Sequence, residues 1–369
     1  MRIAFYAPLK PPTSPRPSGD RGMARALMAA LELAGHEVTL ASLFRSRDAT
    51  GDADRQRRLR QLGERLAARY LARNATQRPD LWFTYHVYYK APDWIGPLVS
   101  RALDIPYVVA EASHAPKRAG GNWAIGHAGA EAAIRTADRI VGINGANAPC
   151  VLPLLDDPAR LTPLAPFLDT AAFTISRRKT PAIDGGPLLM AVAMMRAGDK
   201  LASYRVLADT LTTLADRPWR LEIVGDGPAR AEIETLMAPL GPDRVRFLGQ
   251  RAAGDMPALL AEADICVWPA INEAYGMALL EAQAAGLPVV AGDAGGVSEI
   301  VQHGVTGLLA AAGDADALAA ALNSLLADPS RRDTMGRAAM DKAARQHSLE
   351  TAARRLDDII QSTGHRRAA

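Results

Sequence analysis

The sequence predicts an α/β protein built from two doubly wound, Rossmann-like units. The chain has 369 residues, which exceeds one typical domain and suits two of ordinary size. Short apolar runs alternate with alanine-rich and leucine-rich helical stretches along both halves, the pattern of parallel sheets covered by helices. A hydrophobic content of 49% and a charged content of 22% are typical of a globular protein.

The first half contains five predicted strands and one clear helix. The helix spans residues 23–34 and is closed by Gly35, which suits the left-handed position after a helix end. The strands are short apolar runs bounded by polar or turn-forming residues. They are residues 2–9, 37–43, 80–86, 107–111 and 139–143.

The second half repeats the alternation. Its predicted strands are residues 187–194, 220–224, 245–248, 264–268, 288–291 and 307–309, and its predicted helices are residues 277–285, 316–326, 331–345 and 348–360. Polar and glycine-rich residues 169–186 interrupt the periodicity and predict a linker. We therefore expect an N-terminal domain over residues 1–176, a C-terminal domain over residues 177–347 and a last helical segment over residues 348–369.

Composition narrows the function classes. The formal net charge is only +3, which argues against a dedicated nucleic-acid binder. Cys150 and Cys266 are the two cysteines, so neither a disulfide framework nor a zinc site is expected. No apolar run approaches the ~18 residues of a membrane-spanning helix, and the first strand is too short for a signal peptide. These features predict a cytoplasmic protein.

One stretch is the most informative. A predicted buried strand over residues 263–268 is followed by a loop and by a helix that begins near Gly276. The unpaired N–H groups of a helix start, together with the helix dipole, favour phosphate. Glu273 lies in the loop before this start and Glu281 lies about one turn inside the helix. Two carboxylates on either side of a diphosphate suit a nucleotide-sugar, although two solvated glutamates on an ordinary helix are the alternative.

Residues 273–290 as a whole resemble a family motif. Residues 273–290 read EAYGMALLEAQAAGLPVV, with the matching positions Glu273, Tyr275, Gly276, Glu281, Ala282, Ala284, Gly286, Pro288, Val289 and Val290. This is similar to the retaining nucleotide-sugar glycosyltransferases of the GT-B fold, family four (glycosyl transferases group 1). The resemblance is strongest over residues 188–326. It implies two Rossmann-like domains facing across a cleft, with the last helix crossing back to the first domain.

The resemblance also implies roles for individual residues. Glu273 would orient the sugar, Glu281 would contact the ribose, and the backbone of Gly276, Met277 and Ala278 would bind the diphosphate. Arg196 and Lys200 would supply fixed cations for the departing diphosphate. The family commonly spaces this arginine and lysine by five residues and here the spacing is four. A pair of exposed charges at a strand end is the alternative.

The first domain matches the family more loosely. Residues 17–22 stand where the family has a glycine-containing loop near the diphosphate, so Gly19 is a donor-binding candidate, with a proline-rich turn capped by Asp20 as the alternative. Relatives carry a histidine where this chain has Ala112. His114, two residues later, is a candidate sugar or acceptor contact or else a surface histidine. Lys117 suggests an anionic acceptor or the donor phosphates.

Three other short motifs have simpler explanations. Residues 52–54 and 314–316 imitate the aspartate pair that binds metal in the other main glycosyltransferase fold, and the second of them suits a helix cap. We expect no required metal and no cofactor beyond the nucleotide-sugar substrate. Residues 225–227 resemble a dinucleotide fingerprint, but Pro228 and Arg230 break its third-glycine pattern.

Residues 55–73 form a basic amphipathic stretch. Leu59, Leu62, Leu66 and Tyr70 fall near one face, with arginines largely elsewhere. Such a helix could rest on anionic lipid as a peripheral membrane contact, or it could be a solvated helix packed on the first domain.

The resemblance implies a retaining glycosyltransferase with a nucleotide-sugar donor and a glycan or lipid-linked acceptor, in glycan, glycolipid or polysaccharide synthesis. A nucleotide-sugar 2-epimerase, which shares the fold, and a non-catalytic sugar-nucleotide-binding subunit are the alternatives.

Overall fold

A computed structural model describes residues 1–15, 18–173 and 186–364 of the chain. These residues form two compact units. The first contains residues 1–165 together with residues 349–364, and the second contains residues 166–348. The predicted domain boundary at residues 176 and 177, and most of the predicted linker, lie outside the described residues. Residues 166–173 group with the second unit.

The first unit is built on one six-stranded parallel sheet with strand order β2-β1-β3-β4-β5-β6. Its elements are β1 (Arg2–Tyr6), α1 (Gly19–Leu33), β2 (Glu37–Ser42), α2 (Ala53–Arg73), β3 (Leu81–Val87), α3 (Gly96–Leu103), β4 (Tyr107–Ala112), α4 (Ala124–Thr136), β5 (Arg139–Gly142), α5 (Ala148–Val151) and β6 (Leu161–Pro163).

The second unit repeats this architecture with strand order β12-β11-β10-β7-β8-β9, again all parallel. Its elements are β7 (Leu188–Val192), α6 (Asp199–Thr213), β8 (Arg220–Val224), α7 (Arg230–Met237), β9 (Val245–Gly249), α8 (Met256–Glu262), β10 (Ile265–Trp268), α9 (Met277–Ala284), β11 (Val289–Asp293), α10 (Val297–Ile300), β12 (Gly307–Ala311), α11 (Ala315–Leu326) and α12 (Pro329–Gln346).

Burial explains why the strands read as unbroken apolar runs. All six residues of β4 and all four of β10 are buried. A parallel sheet covered by helices buries both faces of its central strands, so the alternation of an exposed sheet is absent. The carboxyl ends of β7 and β10, which are neighbours in the sheet, therefore bring the loops that follow them to one edge.

The last helix, α13 (Leu349–Gly364), belongs to the first unit and packs on α1. Its buried face includes Leu356, Ile359 and Ile360. At its polar edge, the Asp357 carboxylate lies 3.3 Å from Nε2 of the buried His36. The first unit therefore depends on chain segments from both ends of the sequence.

The eleven predicted strands are all present, with ends that differ by a few residues. The sequence analysis did not identify β6, which spans only three residues, ends in Pro163 and lies at the sheet edge. Within the described part of the chain, no helix is both long enough and apolar enough to cross a membrane.

Candidate functional site

The loop between β10 and α9 forms the centre of the candidate site. It turns sharply, and Ala270 and Asn272 both adopt left-handed backbone conformations, with φ of 56° and 49°. A hydrogen bond of 3.1 Å from the Glu273 N–H to the Ala270 carbonyl closes the turn. Left-handed residues other than glycine are costly and persist where surrounding contacts hold them. The loop must therefore be held from outside.

Helix α6 supplies one set of these contacts. The Ile271 N–H donates to the Ser203 hydroxyl at 3.0 Å, and the Asn272 side chain donates to the Asp199 carboxylate at 3.0 Å. The Lys200 ammonium donates to the Glu273 carboxylate in a salt bridge. Three side chains of the first turns of α6 thus fix three consecutive loop residues.

A glycine-rich segment after β11 packs against the opposite side of the loop. The Gly296 N–H donates to the Ala274 carbonyl at 3.1 Å. A Cβ placed on Gly295 would lie 2.0 Å from the Glu273 carbonyl oxygen, and Gly295 itself has a φ of 56°. Only glycine permits this approach without displacing the loop. The two contacts hold the backbone at Glu273 and Ala274.

The Glu273 carboxylate has two fixed neighbours. Besides Lys200, the Trp268 indole N–H lies 3.3 Å from Oε2. The Lys200 ammonium also lies 5.5 Å from the centre of the Trp268 ring, a cation–π distance. The side chains of Glu273 and Lys200 remain 18% and 25% exposed. A ligand can therefore reach both charges.

The start of α9 offers free backbone donors. Gly276 caps the helix in a left-handed conformation, and its carbonyl accepts from the Leu279 and Leu280 N–H groups at 2.8 and 3.2 Å. The N–H groups of Met277 and Ala278, which are the first two of the helix, have no intrahelical acceptor. Free amides at the positive end of a helix dipole are suited to a phosphate group.

Glu281 lies one turn further along α9 and is largely buried. Burial raises the pKa of its carboxyl group to about 7. Among the residues that the structure describes, none hydrogen-bonds this carboxylate. The thiol of Cys266 on β10 is fully buried, and desolvation together with the Glu281 charge raises its pKa to about 12. A desolvated carboxyl group without a protein partner is suited to accept hydrogen bonds from ligand hydroxyl groups.

Arg196 lies on the loop after β7. Residues 225–227 support this loop. The Met195 N–H donates to the Asp226 carbonyl at 3.0 Å, and the Ala229 N–H donates to the Met195 carbonyl at 3.0 Å. The glycines of the dinucleotide-like motif thus allow close backbone packing. Arg196 is exposed, and its guanidinium makes no hydrogen bond or ion pair with the described residues.

In the first unit, the structure corrects the predicted cap of α1. The cap is Ser18, whose hydroxyl accepts from the Arg21 N–H at 3.3 Å, and not Asp20. Serine fits because its oxygen reaches the N3 amide from an extended backbone. Asp20 instead pairs with His86 at 3.0 Å, and this hydrogen bond lowers the pKa of Asp20. Gly19 is the first residue of α1, and Pro17 lies outside the described residues.

The alternative interpretation of His114 as a surface histidine is wrong. Its side chain is only 10% exposed, and its Nε2 lies 3.4 Å from the Glu131 carboxylate. Ala112, at the position where relatives have histidine, is the buried last residue of β4. Lys117 lies in a short 3₁₀ turn, Pro116–Arg118, and is exposed.

The two aspartate motifs begin helices. The Asp52 carboxylate accepts from the Asp54 and Arg55 N–H groups at 2.9 and 3.0 Å, so it caps α2. The Asp314 carboxylate accepts from the Ala317 N–H at 2.8 Å and caps α11. Capping gives each of these aspartates a structural role that requires no metal.

The apolar face predicted for the basic helix is only partly correct. Leu66 and Tyr70 pack on the core of the first unit, and the Tyr70 ring lies 5.2 Å from the Trp82 ring. Leu62, predicted on the same face, is 38% exposed. Gly63, the next residue, packs against Trp94 instead. A Cβ on Gly63 would lie 2.4 Å from the Trp94 Cβ. The outer surface of α2 therefore presents mainly arginines.

The structure thus brings Lys200, Glu273 and the start of α9 together at one edge of the second sheet. The sequence analysis did not identify Trp268, Asp199 or Ser203, which hold Glu273 and its loop. Trp268 ends the strand that leads into the motif, and Asp199 and Ser203 flank Lys200 on α6. The contacts of Asp199 and Ser203 cross about 70 residues of sequence, so no local spacing reveals them.

We predict that Gly295→Ala destabilises the second unit far more than Gly304→Ala. Both glycines have positive φ, of 56° and 78°, but a Cβ at Gly304 meets nothing within 4 Å. Gly304→Ala should cost only the left-handed strain of about 1–2 kcal/mol. Gly295→Ala adds a backbone clash of about 1–3 kcal/mol. Urea unfolding of both variants measures the difference, and equal losses of stability would contradict the packing described for the loop.

We also predict that Glu281→Gln changes how stability depends on pH. The pKa of about 7 in the folded state exceeds the ordinary value for glutamate, so the folded state holds an extra proton between about pH 4.3 and 7. The free energy of unfolding of the wild-type protein should therefore fall as pH rises through this window. At pH 8 the variant should be more stable than wild type by roughly 1–3 kcal/mol.

The control for this experiment is Glu262→Gln, which changes an exposed glutamate. Its unfolding free energy should run parallel to that of wild type from pH 5 to pH 8. If Glu281→Gln also ran parallel, the burial assigned to Glu281 would be rejected.

Comparison with known sequences agrees with this geometry. Residues 192–342 match the family described as glycosyl transferases group 1. The D-inositol 3-phosphate glycosyltransferase of Salinispora tropica is 32% identical over 261 residues, which cover 63% of this chain and 52% of that protein. A GDP-mannose-dependent alpha-(1-6)-phosphatidylinositol monomannoside mannosyltransferase of Mycobacterium tuberculosis is 37% identical over 149 residues, or 38% of this chain and 39% of that protein. The chain spans about half the length, or less, of these curated relatives.

Solved structures confirm the predicted fold. Anabaena HepE in complex with UDP superimposes with a TM-score of 0.72 at 20% identity, covering 98% of this chain and 100% of that chain. A glycosyltransferase from Rickettsia africae gives a TM-score of 0.75 at 15% identity, covering 98% of both chains. These likenesses show the GT-B fold. Over residues 192–342 the second unit is similar to the glycosyl transferases group 1 family.

Proposed function

We propose that this protein is a retaining glycosyltransferase that moves a sugar from a nucleotide-sugar donor to an acceptor hydroxyl. The observation that carries the proposal is the grouping of the Lys200–Glu273 salt bridge with the free amides at the start of α9. A cation, a carboxylate and unpaired N–H groups match the phosphate and hydroxyl groups of such a donor. The activities named for the relatives in the family support the same chemistry.

Each group has a distinct part in this proposal. The diphosphate lies against the N–H groups of Met277 and Ala278, with Gly276 allowing close approach. Lys200 and Arg196 offset the negative charge that grows on the diphosphate as the glycosidic bond breaks. These cations and amides supply the charge compensation, so we propose that no metal is required for the transfer step.

The two carboxylates define the orientation of the donor. Glu273 accepts hydrogen bonds from the transferred sugar, while its contacts with Trp268 and Lys200 keep the carboxylate in place. Glu281 accepts hydrogen bonds from the ribose. Binding of hydroxyl groups favours its ionised form, which compensates for its burial. The similarity of residues 192–342 to the glycosyl transferases group 1 family supports retention of anomeric configuration.

We infer an acceptor from glycan or glycolipid synthesis, presented at the inner face of the cytoplasmic membrane. The relatives' names include a phosphatidylinositol mannoside and an inositol phosphate as acceptors, and both carry phosphate. In this chain the exposed Lys117 offers a cation for an anionic acceptor. Leu66 and Tyr70 of α2 pack on the core of the first unit. The outer surface of α2 therefore offers arginines, and not an apolar face, for contact with anionic lipid.

The experiment that tests the proposed activity is a thermal-shift screen against UDP-, GDP- and ADP-sugars, followed by NMR of the reaction product. A bound donor should raise the melting temperature by mass action. The product should carry the same anomeric configuration as the donor. Release of an epimerised sugar nucleotide without an acceptor would favour an epimerase instead. Donor binding without transfer across a broad acceptor panel would favour a non-catalytic subunit.

We predict that Arg196→Ala and Lys200→Ala each lower turnover by roughly 10²- to 10³-fold, because each removes a cation that stabilises the departing diphosphate. Arg205→Ala is the matched control, since Arg205 is an exposed arginine of α6 paired with Glu232 at 2.7 Å. Its turnover should equal that of wild type. Steady-state kinetics with the donor found in the screen measure all three variants. Near-unchanged turnover in both test variants would reject the roles of these cations.

We predict that three arginines of α2 contribute to binding of anionic vesicles. Arg58, Arg65 and Arg69 are exposed, and their replacement by glutamine should weaken partitioning by roughly 100-fold, at about 1 kcal/mol per charge. Glutamine at the exposed Arg205, Arg217 and Arg246 of the second unit is the control with equal charge. Sedimentation with phosphatidylserine vesicles measures both. Equal binding by the two triple variants would remove α2 from the proposal.

A further inference from the structure

Three metal-ligating side chains meet in the first unit, whereas the residues that the proposed function assigns to the donor belong to the second unit. His114 follows β4, and His127 and Glu131 lie one turn apart on α4. One ligand atom from each of the three lies within 4.8 Å of the others. The two imidazole rings have centroids 4.7 Å apart. Within the described ranges, this is the one group of three or more such ligands.

The polar atoms of this cluster are incompletely satisfied. Among the described residues, none hydrogen-bonds the buried Nε2 atoms of His114 and His127, although His114 Nε2 lies within ion-pair distance of Glu131. The His114 side chain is 10% exposed, and the His127 side chain is 6% exposed. Buried polar groups in proteins usually have partners. His114 Nε2 and His127 Nδ1 face the Glu131 carboxylate and are the nitrogen atoms placed to bind an ion.

The distances suit a tetrahedral metal. Zinc bonds of 2.0–2.1 Å to nitrogen and oxygen place two tetrahedral ligands about 3.4 Å apart. His114 Nε2 lies 3.4 Å from Glu131 Oε2, and His127 Nδ1 lies 3.9 Å from the same oxygen. Closing the second distance requires a shift of about half an ångström, which a side-chain rotation supplies. The Glu131 side chain is 30% exposed and gives the ion a route from solvent.

Arg135 brings a further charge to the cluster. The Arg135 guanidinium donates to Glu131 Oε1 at 2.9 Å, which leaves Oε2 for the histidines. Ionised carboxylate and neutral imidazole are the forms that bind metal.

We propose that His114, His127 and Glu131 bind a zinc ion that fastens the segment between β4 and α4. The segment includes the 3₁₀ turn that carries Lys117. Three protein ligands leave a fourth position for water. The ion has a structural role and takes no part in glycosyl transfer, so this inference goes beyond the proposed function. It also gives His114 a role other than contact with the sugar.

The test uses the full-length protein, stripped of metal by chelation and then titrated with Zn²⁺ or Co²⁺ alone. Calorimetry should show one Zn²⁺ site per chain, and Co²⁺ should give the visible absorption bands of tetrahedral coordination. Double replacement of His114 and His127 by asparagine should weaken Zn²⁺ binding by more than about 100-fold. This loss exceeds the one expected for residues that hydrogen-bond a ligand without binding the metal themselves. His303→Asn, which changes an exposed histidine of the second unit, should bind Zn²⁺ like wild type.

Arg135→Met provides a second variant that keeps all three ligands. Removing the guanidinium next to Glu131 should tighten Zn²⁺ binding, because a cation adjacent to the site repels the ion. Zn²⁺ should raise the melting temperature of the wild-type protein but not of the double variant. Chelation should lower the melting temperature without abolishing turnover.

Two results would overturn the proposal. One is equal Zn²⁺ affinity in wild type and in a double variant that circular dichroism shows to be folded. The other is Co²⁺ binding to wild type without tetrahedral absorption bands. Both readouts are independent of glycosyl transfer, so failure of the zinc site leaves the proposed activity standing, and failure of the activity leaves the zinc site standing.

Discussion

The candidate site depends on how the loop before α9 is held. Side chains of α6 bind the loop at Ile271, Asn272 and Glu273, while the backbone of Gly295 and Gly296 packs on its other side. This double support stabilises two non-glycine residues in left-handed conformations. It also fixes where α9 begins. The position of the anion-binding amides is therefore a consequence of packing among segments far apart in the sequence.

Charge in the site is balanced differently at its two carboxylates. Glu273 is neutralised by Lys200 and oriented by Trp268, so it can remain near the protein surface as an anion. Glu281 is desolvated, and no described residue hydrogen-bonds its carboxylate, so its charge is costly until a ligand donates hydrogen bonds. The first arrangement favours a fixed orientation and the second favours selective binding of hydroxyl groups. Functional sites commonly sacrifice stability in this way.

The sequence predicted the strands because buried parallel strands are continuous apolar runs, and it predicted the motif at residues 273–290 because strand, glycine and helix signals coincide there. It could not predict that Ser203 binds the Ile271 amide, or that Glu131 and His127 face His114. Such contacts arise between separate elements, and no periodicity encodes them. The alternative of an Asp20 cap is wrong, because Ser18 and Asp20 are both good capping residues and only the observed backbone distinguishes them.

The central claim is that the amides of Met277 and Ala278 bind the diphosphate of the donor. The most direct measurement is a crystal structure of the protein with the nucleoside diphosphate of the donor identified by screening. The account predicts phosphate oxygens at about 2.7–3.2 Å from both amide nitrogens, with Arg196 and Lys200 against the same phosphates and the ribose hydroxyls on Glu281. A diphosphate bound elsewhere, with the start of α9 facing only solvent, would contradict it.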